Sequence, residues 1–211
     1  MAPAKKPIQE FMKKMLALLV SVFVAQSILH GDVRVGQPAP DFSGTDIQGK
    51  VHRLSNYRGK VVVIEAYNAD CPFCANHYKS GAMQALQASV VSKGVVWLLV
   101  NSTHSGNPSY RAPEAARKEF AASGIKASAW IDDSSGAIGK RLGLKTTPHL
   151  VVIDQQGLVA YQGAIDDRAA SSGDPRTARN YVRQAIESLI AGKPVPVAET
   201  KPYGCSVKYA D

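Results

Sequence analysis

Two cysteines, Cys71 and Cys74, flank Pro72 and Phe73 within the stretch VVVIEAYNADCPFCANH at residues 61–77. The ionised sulfur, not the thiol, attacks disulfides and binds soft metals. A thiol at the start of a helix faces N–H groups that have no partner inside the helix and favour an anion. The pKa of such pairs is commonly lowered from about 8.5 into the range of roughly 3.5 to 7.5. Pro72 suits the first helical position, where its missing N–H costs nothing. Cys74, one turn further in, falls on the same side of the helix and within disulfide reach. The spacing therefore makes Cys71 the expected nucleophile and Cys74 the thiol that resolves a mixed disulfide; a permanent disulfide and half a zinc site are the other readings of the pair.

The elements around the pair must hold it at a strand-to-helix junction. Val61, Val62, Val63 and Ile64 form a β-branched apolar run, the pattern of a strand buried on both faces. After the cysteines, Tyr78, Ala82, Met83, Ala85 and Leu86 repeat with helical spacing, and the pattern fades at Ser92-Lys93-Gly94. Residues 95–100 form a second buried strand, so a right-handed parallel crossover is expected. The polar loop at 101–113 is long for such a fold and reads as a lip over the site. Pro113 opens a helix that Gly124 closes; residues 129–131 form a short strand and residues 134–142 a short helix. Two strands, 148–153 and 158–162, are joined by the hairpin signal Asp154-Gln155-Gln156-Gly157. Asp174 as cap, with Pro175 behind it, starts a last long helix in which Tyr181, Val182, Ala185, Ile186, Leu189 and Ile190 share one face. Upstream, residues 35–42 read as an extended arm, followed by a hairpin ending in Val51-His52-Arg53-Leu54. The sum is an α/β domain over residues 32–192 with an N-terminal hairpin extension. A tail at 193–211, with three prolines and Cys205 but no periodicity, must lie across the surface or dangle.

Of 211 residues, 45% are hydrophobic, enough for one domain with a proper core and too little for a membrane bundle. The formal charge of +8 is inflated by the amino terminus, since residues from 28 onward hold 21 Lys and Arg against 16 Asp and Glu. No basic patch interleaved with aromatics remains, which argues against nucleic acid as a partner. Residues 1–31 read as a secretory signal, with basic residues ending in Lys13-Lys14, an apolar stretch at 15–24 and small residues at 25–27. The run falls short of the ~20 apolar residues of a spanning helix. Cleavage after Ser27 would give a periplasmic or secreted protein; an uncleaved segment would anchor it to the inner membrane, facing the periplasm. Export suits a thiol pair that works in an oxidising or redox-managed compartment.

Glu65 sits inside the apolar strand, where an acid is expensive to ionise and its pKa should rise into the range useful for taking a proton from Cys74. Placement on a solvated strand edge is the alternative. His77, three residues after Cys74, would share a helix face with both thiols and suit a soft metal, but only three ligands are visible and His149 would have to supply a fourth. A solvated His77 and a packing role for His149 are the simpler readings. Cys205 is a third thiol, redox-active if the tail folds back over Cys71 and otherwise a buried or idle one. Tyr67 and Phe73 are expected to form an apolar rim against a partner's backbone. Trp97 and Trp130 are read as core, and His52 and His104 have no partner in view.

A strand ending at Cys71-Pro72-Phe73-Cys74, followed about seventy residues later by Thr146-Thr147-Pro148 leading into a strand pair, resembles the thioredoxin superfamily. The resemblance implies a three-layer fold, a central mixed sheet flanked by helices, with Pro148 cis and facing the cysteines. It further implies that the Thr147 backbone is free to pair with an incoming peptide beside Cys71, as in strand addition, and that Glu65 stands at the family's buried acidic position. Residues 35–42 and the extra hairpin resemble the redoxin branch, which includes TlpA-like reductases and alkyl hydroperoxide reductase/thiol-specific antioxidant proteins. The stretches at 147–154, 161–167, 191–196 and 204–209 resemble a peroxiredoxin-like group of bacterial redoxins. Two residues depart from these patterns. Asn68 stands where peroxidatic sites carry Thr or Ser, which weakens a peroxidase reading. Asp70 stands where thioredoxins have Trp, and its carboxylate disfavours a thiolate next door.

The sequence thus points to an exported thiol-disulfide oxidoreductase with no cofactor beyond a redox-active Cys71–Cys74 disulfide. Its expected partners are protein thiols or disulfides and an upstream redox partner. Cys71, Cys74 and Glu65 are the expected catalytic residues, and Thr147, Pro148, Tyr67 and Phe73 the expected substrate contacts. A thiol peroxidase and a periplasmic copper carrier are the rival readings.

Overall fold

A computed structural model of the protein describes residues 33–210; the segment read as a secretory signal lies outside the described residues. Among the described residues no helix is long and apolar enough to cross a membrane.

The β-branched run becomes β3 (Val62–Ala66), all five residues buried, and it forms the centre of a five-stranded sheet. On one side β3 pairs in parallel with β4 (Val96–Asn101), which pairs in parallel with β5 (Ala129–Asp132). On the other side it runs antiparallel to β7 (His149–Ile153), which turns into β8 (Val159–Gly163). Ahead of the sheet, β1 (Ser43–Thr45) and β2 (Val51–Arg53) form the expected hairpin.

Alternation along β3 assigns its side chains to two cores. Val62, Ile64 and Ala66 face a layer that includes Phe42, Leu54, Ile138 and Leu142, the last pair at the short helix α4 (Ala137–Arg141). Val63 faces the opposite layer, built from α1 (Pro72–Lys79), α2 (Ala82–Val91), α3 (Pro113–Ala122) and α5 (Tyr181–Ile190). Glu65, two residues on from Val63, points the same way and stands in register between Leu99 and Leu150. The α/β three-layer architecture with a mixed central sheet is therefore present as expected.

Two helix boundaries differ from the periodicity. The helix after the cysteines is two helices, broken at Gly81, whose φ of 76° lies in the left-handed region where a side chain would be strained. The apolar spacing carries across the break because α1 and α2 both pack on the same core. Asp174 caps only a turn of 3-10 helix, Pro175–Thr177; α5 starts later, with Asn180 accepting from the Arg183 N–H at 2.7 Å.

The tail lies across the surface rather than dangling. Its strand β9 (Cys205–Ser206) pairs antiparallel with β6 (Thr146–Thr147), setting Cys205 opposite Thr147 and Ser206 opposite Thr146. On the far side of this strand, the His104 N–H donates to Lys208 O at 2.8 Å and the Tyr209 hydroxyl to Leu144 O at 2.8 Å.

Ile186 on α5 is fully buried against the sheet. Ile186→Ala should lower the unfolding free energy by roughly 2–5 kcal/mol, read as a lower denaturation midpoint with unchanged slope in urea.

Candidate active site

Cys71 is the residue that caps α1, with φ −75° and ψ 119°, and Pro72 takes the first helical position. Its own N–H is used by Asn68 O at 3.1 Å, and its carbonyl accepts the first helical bond, from Ala75 N–H at 2.8 Å. The Asn68 side chain fixes this turn by accepting from Asp70 N–H at 2.8 Å and donating to Thr103 Oγ1 at 3.0 Å. The sulfur of Cys71 is thus held at the mouth of the helix, with only 3% of the residue exposed. All three cysteines are free thiols.

As a thiol, Cys71 donates to Thr147 O at 2.8 Å. As a thiolate, it accepts from the Cys74 thiol, the strongest influence lowering its pKa; burial opposes this, and the Thr147 and Cys205 side chains add further hydrogen bonds. The balance brings the Cys71 pKa down to about 4. Cys74, fully enclosed, moves well above the ordinary thiol range, because burial, its bond to Cys71 and the nearby charges of Cys71 and Glu65 all resist a second anion.

Glu65 has no solvent exposure. The Trp97 indole N–H donates to Oε2 at 2.8 Å, and the Tyr78 hydroxyl lies 3.0 and 3.1 Å from the two oxygens. Gln87 donates to the Tyr78 hydroxyl at 2.9 Å and reaches Oε2 at 3.5 Å. Burial outweighs these three donors and raises the Glu65 pKa to about 7. The solvated-edge alternative for this residue is excluded. Tyr78, Gln87 and Trp97, absent from the expected site, are its immediate partners; their only sequence signal was a polar side chain on an otherwise apolar face.

Asp70 does not stand uncompensated beside Cys71. Arg111, from the long loop after β4, pairs with Asp70 at 2.5 Å and with Glu119 at 3.1 Å. That loop reaches the site as a lip, and its guanidinium offsets the carboxylate next to Cys71.

Several expected contacts are placed differently. Tyr67 is not at a rim: it is buried, donates to Glu119 at 2.8 Å and packs edge-on against Tyr78 and Trp130. Phe73 is half-buried beneath Tyr203 of the tail, with ring centroids 5.9 Å apart. The Thr147–Pro148 peptide is cis, but the Thr147 backbone is not free, because β9 already pairs with it. His77 is not solvated. It is buried, 3.2 Å from the Tyr203 hydroxyl and 3.9 Å from Asp166, and burial pushes its pKa down. His149 accepts from Lys145 N–H at 3.1 Å, and burial lowers its pKa to about 4, so it is neutral at pH 7 and supplies no imidazolium to the thiols. Among the described residues no three His, Cys, Asp or Glu side chains are arranged to hold a metal ion. His52, without a partner in the sequence reading, bonds to Tyr57 and to Asp46, the latter at 2.8 Å. His104 is half-buried, and its N–H is the one that holds the tail at Lys208.

A mixed sheet with a cysteine pair at the start of the helix that follows its central strand, and a cis-proline loop against that pair, defines a thioredoxin-like protein. Residues 34–180 match the Redoxin family, and the chain belongs to it. A 69-residue stretch is 41% identical to the thiol-disulfide oxidoreductase ResA of Geobacillus kaustophilus (strain HTA426), covering 33% of this chain and 38% of that protein. Among solved structures, an uncharacterised conserved protein from Geobacillus kaustophilus superposes with a TM-score of 0.75 at 27% identity, covering 84% of this chain and 93% of that one. A hypothetical protein from Sinorhizobium meliloti 1021 gives 0.73 at 20% identity, covering 85% and 97%, which speaks to the fold alone.

Glu65 and Cys71 titrate in opposite directions, and both shifts can be read. Alkylation of reduced protein by iodoacetamide should occur first at Cys71, with a rate that rises with pH through about 4, while Cys74 stays unmodified at pH 7. For Glu65 the folded pKa of about 7 exceeds the unfolded value of 4.5, so the native state binds the extra proton and loses stability as pH rises through 7. Cys71, whose folded pKa is lowered, contributes with the opposite sign over the same range in wild type and Glu65→Gln alike, so reduced Glu65→Gln should gain stability relative to reduced wild type from pH 5 to pH 8; equilibrium denaturation of the two proteins across that range is the measurement.

Proposed function

We propose that the protein is an enzyme that exchanges thiols and disulfides with protein partners through Cys71 and Cys74. One observation carries this reading: the thiol of Cys71 stands at the first turn of a helix, donating to Thr147 O at 2.8 Å, with buried Cys74 one turn further along the same helix. The thiolate of Cys71 attacks one sulfur of a partner's disulfide. The new bond joins that sulfur to Cys71, the partner's S–S bond breaks, and its second sulfur leaves as a thiolate that takes a proton. Cys74 then gives up its proton, passed through a water to Glu65, and attacks Cys71. The partner is released with both cysteines reduced, and two electrons have left the enzyme as a Cys71–Cys74 disulfide. An upstream redox partner returns it to the dithiol.

The likeness to ResA over one third of the chain supports the reaction class. The basic, apolar and small-residue order at 1–31 supports export. Asn68 gives no support to a peroxidase, since its side chain is spent on Thr103 and Asp70. A copper carrier loses its third ligand, because His77 is engaged with Tyr203 instead of the thiols.

Full-length protein with dithiothreitol should accelerate the reduction of insulin disulfides. Cys71→Ser should return the rate to the uncatalysed background, and reduced Cys74→Ala freed of dithiothreitol should retain a partner covalently attached to Cys71. Undiminished activity in Cys71→Ser would end the proposal.

A further inference from the structure

Strand addition at the backbone of Thr147 would place a substrate's cysteine beside Cys71. That position is already taken by the chain's own residue 205. Cys205 lies opposite Thr147 in the β6–β9 ladder, and Thr147 O is the same atom that receives the Cys71 thiol at 2.8 Å. The Thr147 hydroxyl in turn donates to Cys205 O at 3.4 Å, so one residue touches both the Cys71 thiol and the tail strand. Gly204 permits the approach: its φ is 133°, and a Cβ there would fall inside contact distance of Thr147 O. The strand is fastened on both sides. Before it, the Tyr203 hydroxyl donates to Asp166 at 2.6 Å and its ring covers Phe73; after it, Val207 N–H donates to Lys145 O at 3.2 Å. A cysteine delivered by a paired strand to the sulfur of a nucleophile has the geometry of a bound substrate.

We propose that the strand Cys205–Ser206 is a tethered occupant of the substrate-peptide position, and that Cys205 exchanges with Cys71 as a built-in third redox thiol. The inference rests on the reading of Cys71 as the attacking thiol and adds a regulator to that site. In the oxidised protein, the thiolate of Cys205 attacks the sulfur of Cys71, a Cys71–Cys205 bond forms, and the Cys71–Cys74 bond breaks. Cys74 departs as a thiolate and regains the proton that Cys205 gave up to solvent. No electrons enter or leave, so the oxidised enzyme is shared between two disulfides. In the reduced enzyme there is no disulfide to exchange, and Cys205 holds its proton beside the Cys71 thiolate, its own pKa raised to about 11 by burial and by that neighbour. A protein disulfide must displace the strand before it can pair with Thr147, whereas a small disulfide need only reach the sulfur.

The test uses full-length Cys74→Ser, reduced and mixed with one equivalent of oxidised glutathione, then quenched in acid and mapped by mass spectrometry. Glutathione should attach to Cys71 and be expelled by Cys205, leaving a Cys71–Cys205 disulfide and two glutathione thiols per protein. In Cys74→Ser with Cys205→Ser the glutathione should remain on Cys71. A stable adduct on Cys71 with Cys205 still free in the single variant would overturn the inference. If wild-type protein reduces insulin through Cys71 while that adduct persists, this inference alone falls. If wild-type Cys71 neither reduces insulin nor accepts glutathione, the functional reading falls with it. Gly204→Val, which pushes the strand from Thr147, should raise insulin reduction at least about fivefold by removing a closed state, with little change toward a small disulfide such as hydroxyethyl disulfide. Equal effects on both substrates would overturn the occupancy.

Discussion

One negative charge, confined to a nearly closed site, sets the terms for everything around it. The site contains three acids within mutual influence, Cys71, Cys74 and Glu65, and burial penalises the ionisation of each. Only Cys71 receives enough donors to overcome that penalty: Cys74, the Thr147 hydroxyl and Cys205. Its charge then holds the neighbouring thiol in the protonated state, since a second anion at short range in a low-dielectric interior is strongly disfavoured. The order of acidity follows from which group stands at the helix mouth rather than from any intrinsic difference between two thiols.

The fold serves this arrangement by bringing distant segments to a single point. β3 supplies Glu65 to the helical face of the sheet and hands the chain to α1 a few residues later, so acid and thiols arrive from one strand-turn-helix unit. β4 contributes Trp97 to Glu65 and then the loop whose Arg111 offsets Asp70. The Thr147–Pro148 turn and the tail close the site from the opposite side. Glu65 can sit inside an apolar core because each of its partners belongs to an element that is packed for other reasons: Trp97 on β4, Tyr78 at the end of α1, Gln87 on α2. Losing one would leave the others aimed at a less satisfied acid, a costly state for a buried polar group.

Much of this was legible in the residues. The β-branched run before the cysteines announced a central strand, Pro72 marked the helix start, and Thr147-Pro148 carried the resemblance that placed a second segment against the thiols. What stayed hidden has a common physical cause. Periodicity reports which face of an element is buried and says nothing about the specific partners found there, so Tyr78, Gln87 and Trp97 were readable as core but not as donors to Glu65. A strand of two residues has no period at all, and the pairing of Cys205 with Thr147 across 58 positions is decided by tertiary contacts alone. The break at Gly81 is invisible to periodicity because the apolar spacing of α1 and α2 is continuous, although the glycine itself is a signal. The enclosure of Tyr67 and His77 is hidden for the same reason as the tail pairing, since both are covered by segments far along the chain.

The charge constraint also orders the proposed exchange in time. Two of the forces that hold Cys74 protonated, its bond to the Cys71 sulfur and the repulsion from that thiolate, vanish once Cys71 is spent in a covalent bond. Cys205 is held by the same two forces and is released by the same event. Neither thiol therefore competes with Cys71 for the first attack, and both become better nucleophiles as soon as that attack is complete. Which one follows is a matter of position: Cys74 is fixed one turn along a helix with Glu65 in electrostatic range, while Cys205 rides on a strand of two residues that can be displaced. On that proposal, a protein partner that takes the place of β9 removes Cys205 from the contest and leaves the resolving step to Cys74. With the strand seated, Cys205 stays opposite Thr147, whose carbonyl accepts from the Cys71 thiol.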